Sequence, residues 1–304
     1  MTLGYVGLGN MGGALARRLR VQHNRHQHDM LVYDLDPTHA AALAALGAEA
    51  CGSAAEVAAR SDVILTCLPT SVEVRAAIFG ENGLAAGARP GALIVDQTSG
   101  DPIATRAMAA ELAPRGIELI DAPVSGGPRG ANAGTIAIMV GGSAEQFARV
   151  ETILKAISPN VVHAGGVGSG HVMKLANNML SAAGRLAALE AMALATKNGI
   201  EPATAADILL ASSGRNFWME HFLKKVIGGD LNSAFTLALS YKDVRQATQL
   251  GVDSGVPMFF GNLVREFYQM AITEVGADAQ VNATALVMQR IAGTKMVAAP
   301  PSAK

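Results

Sequence analysis

Cysteine, aromatic side chains and net charge are all scarce in this chain. Only Cys51 and Cys67 stand among its 304 residues. Two cysteines make no disulfide framework, so a reducing, cytoplasmic setting is expected. The formal charge is −1 at pH 7. No basic run offers a surface to nucleic acid or to an anionic membrane. No apolar stretch reaches the ~18 residues needed to cross a bilayer. The first expected strand begins at about residue 2, which leaves no room for a signal peptide. Aromatics make up 4% of the chain while glycine numbers 33, a balance that suits helices packed closely on a sheet. His23, His26 and His28 lie close together, but no acid or cysteine cluster completes a ligand set. They read as a solvated turn, and no metal site is expected.

What is present begins at once. Residues 4–12 read Gly-Tyr-Val-Gly-Leu-Gly-Asn-Met-Gly. Gly7, Gly9 and Gly12 have the G-x-G-x-x-G spacing, between an apolar strand (3–6) and a helical pattern (14–20). In that context Gly7 permits a tight turn, Gly9 admits a pyrophosphate close to the backbone, and Gly12 lets helix and strand pack closely. The phosphates would then sit at a helix N-terminus. The spacing alone also fits a glycine-rich turn of another α/β protein. A second strand, 30–33, ends at Asp34. An acid there accepts hydrogen bonds from the adenosine ribose hydroxyls and repels a 2′-phosphate, so NAD is expected rather than NADP. Its other reading is a helix cap before Pro37.

Strand candidates follow at 63–68, 92–95, 118–120, 136–140 and 161–163, alternating with helical segments. Near-continuous apolar strands in that alternation predict a parallel, doubly wound sheet. Gly165–Gly170 reads as a hinge. Beyond it a long helix is expected over 171–198, with an apolar stripe at Val172, Leu175, Met179, Ala182, Leu186, Leu189 and Ala193. Shorter helices are expected around 203–211, 217–227, 241–254, 257–275 and 278–292. The sequence therefore predicts a Rossmann-type α/β domain (1–164), a long central helix opening an all-α domain (165–293), and a disordered tail (294–304).

Three further segments carry chemistry. Asp121–Gly127 (DAPVSGG) follows a strand, at the edge where open α/β sheets bind ligands. Ser125, Gly126 and Gly127 offer a hydroxyl and successive N–H groups, either an anion nest for a substrate carboxylate or an ordinary loop. In Gly168–Asn178 (GSGHVMKLANN), Lys174 and Asn178 share a helix face, continued by Ser181 and Arg185. A partly desolvated lysine there suits proton transfer, and a solvated lysine is the other reading. Tyr241-Lys242-Asp243 reads in isolation as a surface ion pair.

Taken together, GLGNMG at 7–12, DAPVSGG at 121–127, G-x-G-x-x-x-K-x-x-N-N at 168–178 and Lys242-Asp243 resemble the β-hydroxyacid dehydrogenase family. That family includes 3-hydroxyisobutyrate dehydrogenases and tartronate semialdehyde reductases. The likeness runs to residue 292. It implies that Lys174 is the catalytic lysine, that Asn178 holds the substrate hydroxyl, and that Ser125, Gly126 and Gly127 bind a carboxylate. It implies cofactor contacts from Gly7, Gly9, Asn10, Met11, Gly12, Asp34, Leu68, Pro69 and Thr98. Lys242 would close over cofactor and substrate, braced by Asp243. The family pattern D-x-S-T-x-x-P is here Asp96-Gln-Thr-Ser-Gly-Asp-Pro, with Thr98 and Ser99 transposed.

Phe217, Trp218 and His221 are candidates either to touch a substrate side chain or, equally, to pack the helical core, the fate that suits Phe217 best. Arg215 would meet a second anionic group or solvent. The resemblance implies a 3-hydroxyisobutyrate-like hydroxyacid. A tartronate semialdehyde, sulfolactaldehyde or threonate-type substrate is the alternative. A non-catalytic dinucleotide-binding module is a further one. An imine reductase would replace the lysine. A homodimer or homotetramer is expected, because a long apolar helix with short partners leaves surface to cover.

Overall fold

The structure, a computed structural model, describes residues 1–23 and 29–299. His26, His28 and residues 300–304 lie outside that range. The chain divides into two compact units, Met1–Lys174 and Leu175–Lys304.

The first unit is built on one sheet. Its strands are β1 (Leu3–Val6), β2 (Met30–Tyr33), β3 (Glu49–Ala50), β4 (Val63–Thr66), β5 (Leu93–Asp96), β6 (Glu118–Asp121), β7 (Val124–Ser125), β8 (Ala137–Gly141) and β9 (Val161–Gly165). Their spatial order is β3-β2-β1-β4-β5-β6-β8-β7, with β9 beside β8. The helices are α1 (Asn10–His23), α2 (Pro37–Ala44), α3 (Ala54–Arg60), α4 (Ser71–Phe79), α5 (Leu84–Gly87), α6 (Pro102–Leu112), α7 (Gly127–Ala133) and α8 (Ala144–Ile157). The central strands β1, β4 and β5 are buried along their whole length because both faces are covered. Leu3, Tyr5, Val63, Leu65, Leu93 and Val95 enter one core, while Val6, Ile64 and Ile94 enter the other.

The expected parallel pairing holds from β3 to β6. Beyond that the expectation needs correcting. β8 runs antiparallel to both β6 and β7, and β9 is parallel to β8. The short connection through α7 turns the chain straight back, whereas a parallel crossover takes about a dozen residues or more.

Helix α9 (Ser169–Lys197) carries the chain from the first unit into the second. By length and composition it is apolar enough to cross a membrane, which corrects the expectation that no stretch is. Its apolarity is explained by its packed face: Ala182, Leu186, Leu189 and Ala193 lie in the core of the second unit, and Val172 and Met179 are half-buried. The partners in that unit are α10 (Pro202–Ala211), a π-helical turn (Met219–Leu223) running into α11 (Lys224–Ile227), α12 (Leu237–Ser254), α13 (Phe259–Val275) and α14 (Thr284–Ala292).

Two expected boundaries move. The division falls after Lys174 rather than after residue 164, because the first turn of α9 is bonded to the sheet. The tail does not leave the fold at residue 294. Met296 and Val297 are buried in the helical core, and the Ala298 N–H donates to the Ile227 carbonyl at 2.8 Å. Two apolar side chains gain cover there that outweighs the cost of ordering a few residues.

Candidate active site

Parallel register brings the chemistry to one edge. Tyr33, Val6, Thr66, Asp96 and Asp121 are partners in a single row across β2, β1, β4, β5 and β6. The loops leaving that row therefore share the carboxyl edge, and strand order reverses between β1 and β4, where such sheets bind ligands.

The glycine turn leaves β1 at this reversal. Gly7 has φ +88°, and a Cβ on it would lie 2.5 Å from the Cys67 carbonyl oxygen. A Cβ on Gly12 would strike the Gly7 carbonyl oxygen, whereas one on Gly9 would meet nothing within 4 Å. The turn thus needs glycine at 7 and 12 for its own packing, and at 9 its backbone faces open space. Asn10, Met11 and Gly12 form the first turn of α1, whose N–H groups have no partner within the helix. Asp34 Oδ2 accepts from the Leu8 N–H at 2.5 Å, and Oδ1 accepts from the Asp36 N–H at 2.8 Å. His39 Nδ1 lies 3.3 Å from Oδ1. The cap of α2 is Asp36, which accepts from the Thr38 N–H. Asp34 is therefore not the cap before Pro37; its carboxylate lies against the glycine turn. An open backbone, a helix start and an acid beside them fit a dinucleotide.

Thr98 is buried and engaged at three points. Its hydroxyl accepts from the Leu68 N–H at 3.0 Å, which fixes the Leu68-Pro69 turn after β4. Its N–H donates to Asp96 Oδ1 at 3.1 Å, and its carbonyl faces His171 Nε2 at 3.0 Å. Asp96 Oδ1 also accepts from the Thr66 hydroxyl. Its Oδ2 is buried without a hydrogen-bond partner among the described residues and lies 3.9 Å from His171 Nε2. Burial above all, and then Asp96, push the Cys67 thiol up to about 12, against the opposing pull of Lys174. Cys67, Asp96 and Lys174 thus share one electrostatic neighbourhood, and the thiol stays protonated and unreactive.

Asp121 seats the start of α9. Oδ1 accepts from the Gly168 N–H at 2.5 Å and Oδ2 from the His171 N–H at 2.7 Å. Burial raises its pKa, and His171 and these N–H groups oppose the rise. The glycines make the seat possible. A Cβ on Gly170 would strike the Met139 carbonyl of β8, and one on Gly141 would strike Asp121 itself. Gly170 and Gly141 therefore act as close-packing positions, while Gly168 has a positive φ of +89°. One turn on, Lys174 is 8% exposed. The sequence reading missed His171, Asp96 and Thr105. The only signal was a histidine three residues before Lys174, directly after Gly-Ser-Gly.

Ser125 ends β7, and the chain then passes through Gly126 (φ +140°) and Gly127 (φ +64°) into α7. A Cβ on Gly127 would meet nothing within 4 Å. Both glycines thus have positive φ, and the backbone at Gly127 faces open space.

In the second unit, Asn178 Nδ2 donates to Asp243 Oδ2 at 2.5 Å, and Lys242 Nζ lies 3.2 Å from Asp243 Oδ1. Asp243 is buried, so one carboxylate orients both side chains. Two expectations reverse here. Trp218 is 3% exposed, in the core, with its indole N–H on Asn282 Oδ1 at 2.9 Å, so it does not line a substrate pocket. Phe217, assigned to the core, is 62% exposed and stacks on His221 at 4.0 Å between ring centres. A single helical step exchanges the two neighbours between core and surface. Arg215 pairs with Glu220, and Arg185 leaves the polar stripe to donate to the Tyr268 hydroxyl in the core.

The chain is similar to known proteins along both of its units. Residues 2–166 match the domain family described as the NAD binding domain of 6-phosphogluconate dehydrogenase. Residues 168–288 match the NAD-binding domain of NADP-dependent 3-hydroxyisobutyrate dehydrogenase. The 2-(hydroxymethyl)glutarate dehydrogenase of Eubacterium barkeri is 37% identical over 84% of this chain and 84% of its own. The 3-hydroxyisobutyrate dehydrogenase of Pseudomonas aeruginosa is 38% identical over 71% of each. The solved 3-hydroxyisobutyrate dehydrogenase of Mycobacterium tuberculosis with L-serine is 31% identical with a TM-score of 0.83, covering 95% of this chain and 99% of its own.

The glycine geometry separates binding from folding. Gly9→Ala is expected to leave the thermal midpoint within about 2 °C while weakening dinucleotide binding at least about tenfold. Gly12→Ala is expected to lower stability by about 1–3 kcal/mol through overpacking. Thermal melts and cofactor titration by fluorescence read the two effects, and equal binding by Gly9→Ala would refute the assignment.

The strand order, the glycine turn with its acid, the lysine-bearing helix start and the matches along both units establish that this chain belongs to the β-hydroxyacid dehydrogenase family and uses a nicotinamide dinucleotide.

Proposed function

We propose that the chain oxidises a small β-hydroxyacid of the 3-hydroxyisobutyrate type with NAD, and that Lys174 is its general acid and base. The observation that carries this reading is the placement of Lys174, buried one turn into a helix whose start is fixed to the carboxyl edge of the sheet. A bound nicotinamide dinucleotide supplies the hydride acceptor. Ser125, Gly126 and Gly127 hold the substrate carboxylate through the nest N–H groups. Lys174 Nζ takes the hydroxyl proton in oxidation and returns it when a semialdehyde is reduced. Asn178, one turn along α9, holds the hydroxyl group through its side-chain amide, which Asp243 orients. Holding the substrate by its carboxylate supplies much of the orientation that hydride transfer requires.

The relatives support this substrate class, since the M. tuberculosis enzyme is seen with L-serine, itself a β-hydroxyacid. Reduction of a tartronate or sulfolactate semialdehyde uses the same residues in reverse. Asp34 supports NAD over NADP, because its carboxylate lies beside the glycine turn where a 2′-phosphate would meet negative charge. A homo-oligomer is supported by Phe259 and Phe260, 81% and 74% exposed at the start of α13, with Leu263 exposed one turn on.

Three measurements check these assignments. Lys174→Ala is expected to lower kcat for 3-hydroxyisobutyrate at least about 10²-fold while NAD binding stays within about threefold; substantial residual turnover would sink the role. Asp34→Ala is expected to narrow the NAD preference by weakening NAD binding more than NADP binding; equal use of both cofactors by the unaltered protein would refute it. Light scattering is expected to give a multiple of 31.2 kDa, and the monomer mass would overturn the oligomer.

A further inference from the structure

A histidine that the mechanism does not use lies fully buried three residues before Lys174. His171 Nε2 lies 3.0 Å from the Thr98 carbonyl oxygen, an acceptor, so that nitrogen carries a proton and donates. Nδ1 lies 3.0 Å from the Thr105 hydroxyl of α6. The backbone N–H of His171 is held by Asp121. Room for the ring comes from Gly100, where a Cβ would lie 2.8 Å from His171 Cε1. One residue thus ties α9 to β6 through its backbone, and to α6 and the loop after β5 through its ring.

Three residues span most of one helical turn, so a helix fixed at His171 has its rotation fixed at Lys174. Thr98 adds a second link, because its hydroxyl holds the Leu68-Pro69 turn while its carbonyl holds His171.

We propose that His171 is a positioning residue for Lys174, its imidazole locking the lysine-bearing turn of α9 onto the Thr98 peptide at the carboxyl end of β5. The proposal rests on Lys174 being the proton-transfer group. His171 touches neither substrate nor cofactor in this role; it sets where the lysine stands. The charged and titratable groups around the turn are Asp96 at the end of β5, Asp121 at the end of β6, Cys67 after β4 and Arg106 of α6, whose Nε donates to the Val167 carbonyl. With these left in place, loss of the ring moves the lysine relative to fixed charges.

The test compares the unaltered protein with His171→Leu, which fills the space without bonding, and His171→Gln, whose amide N–H can reach the Thr98 carbonyl. Two readouts are taken on the full chain with NAD present. The first is turnover of 3-hydroxyisobutyrate as a function of pH. The second is titration of Lys174 followed by NMR after reductive methylation with labelled formaldehyde, which needs no turnover.

His171→Leu is expected to lower kcat by about 10²-fold with the KM for NAD within about threefold. It should also move the pH profile and the Lys174 titration midpoint together by about one unit. His171→Gln is expected to recover most of both effects. If His171→Leu does not fold, Thr105→Val, which removes the Nδ1 partner together with the bond from the Thr105 hydroxyl to the Asp101 carbonyl, should shift the Lys174 midpoint in its place. The proposal is overturned if His171→Leu melts earlier yet keeps the pH profile and the Lys174 midpoint, or if His171→Gln is as impaired as His171→Leu. If the unaltered protein turns over no β-hydroxyacid, the functional reading fails, and the NMR midpoint alone decides the positioning role.

Discussion

The Asp121 carboxylate is the interaction on which the candidate site depends. It is buried at the end of β6, which is costly for a charged group, and burial raises its pKa. Two backbone N–H groups at the start of α9 offset that cost and gain in return the partner that a helix start lacks. The exchange also joins the helix to the sheet at a defined point. Everything placed along the first turns of α9, His171 and Lys174 included, takes its position from there.

The second constraint is steric. The chain approaches itself closely at Gly12 against Gly7, at Gly170 against Met139, and at Gly141 against Asp121. At each contact a methyl group would collide with a neighbouring polar atom. At Gly9 and Gly127 the space is open, and the absence of a side chain exposes backbone instead. Glycine thus does two jobs in one short motif. A spacing pattern cannot tell them apart, whereas the geometry assigns each position to packing or to a ligand.

Family membership and this geometry agree on the reaction class and divide the remaining questions. Relatives acting on 3-hydroxyisobutyrate and on 2-(hydroxymethyl)glutarate bear similar sequences, so the scaffold accommodates more than one hydroxyacid. What they share is an alcohol next to a carbon that bears a carboxylate. In the proposed function that shared part is met by Ser125–Gly127 and Lys174. Side-chain preference must arise elsewhere, and Trp218, held in the core by Asn282, is not its source.

The sequence by itself determined the glycine turn, the lysine helix with its apolar stripe, and the strands other than the two-residue β3 and β7. Each is written in local backbone preference or in a periodicity that one element carries alone. Asp34 at the end of β2 was legible for the same reason, because strand length and the following proline fix its place. Only the tertiary structure decided what depends on partners distant in sequence. It turned β8 antiparallel, moved the unit boundary to Lys174, packed Met296 and Val297, and exchanged Phe217 with Trp218 between surface and core. It also brought Asp96, Asp121, Thr98 and Thr105 around His171, the Thr98 carbonyl from 73 residues away. A histidine three residues before a lysine in a sequence says nothing of a threonine carbonyl in the loop after β5, because burial and hydrogen bonding belong to the neighbours that the fold supplies.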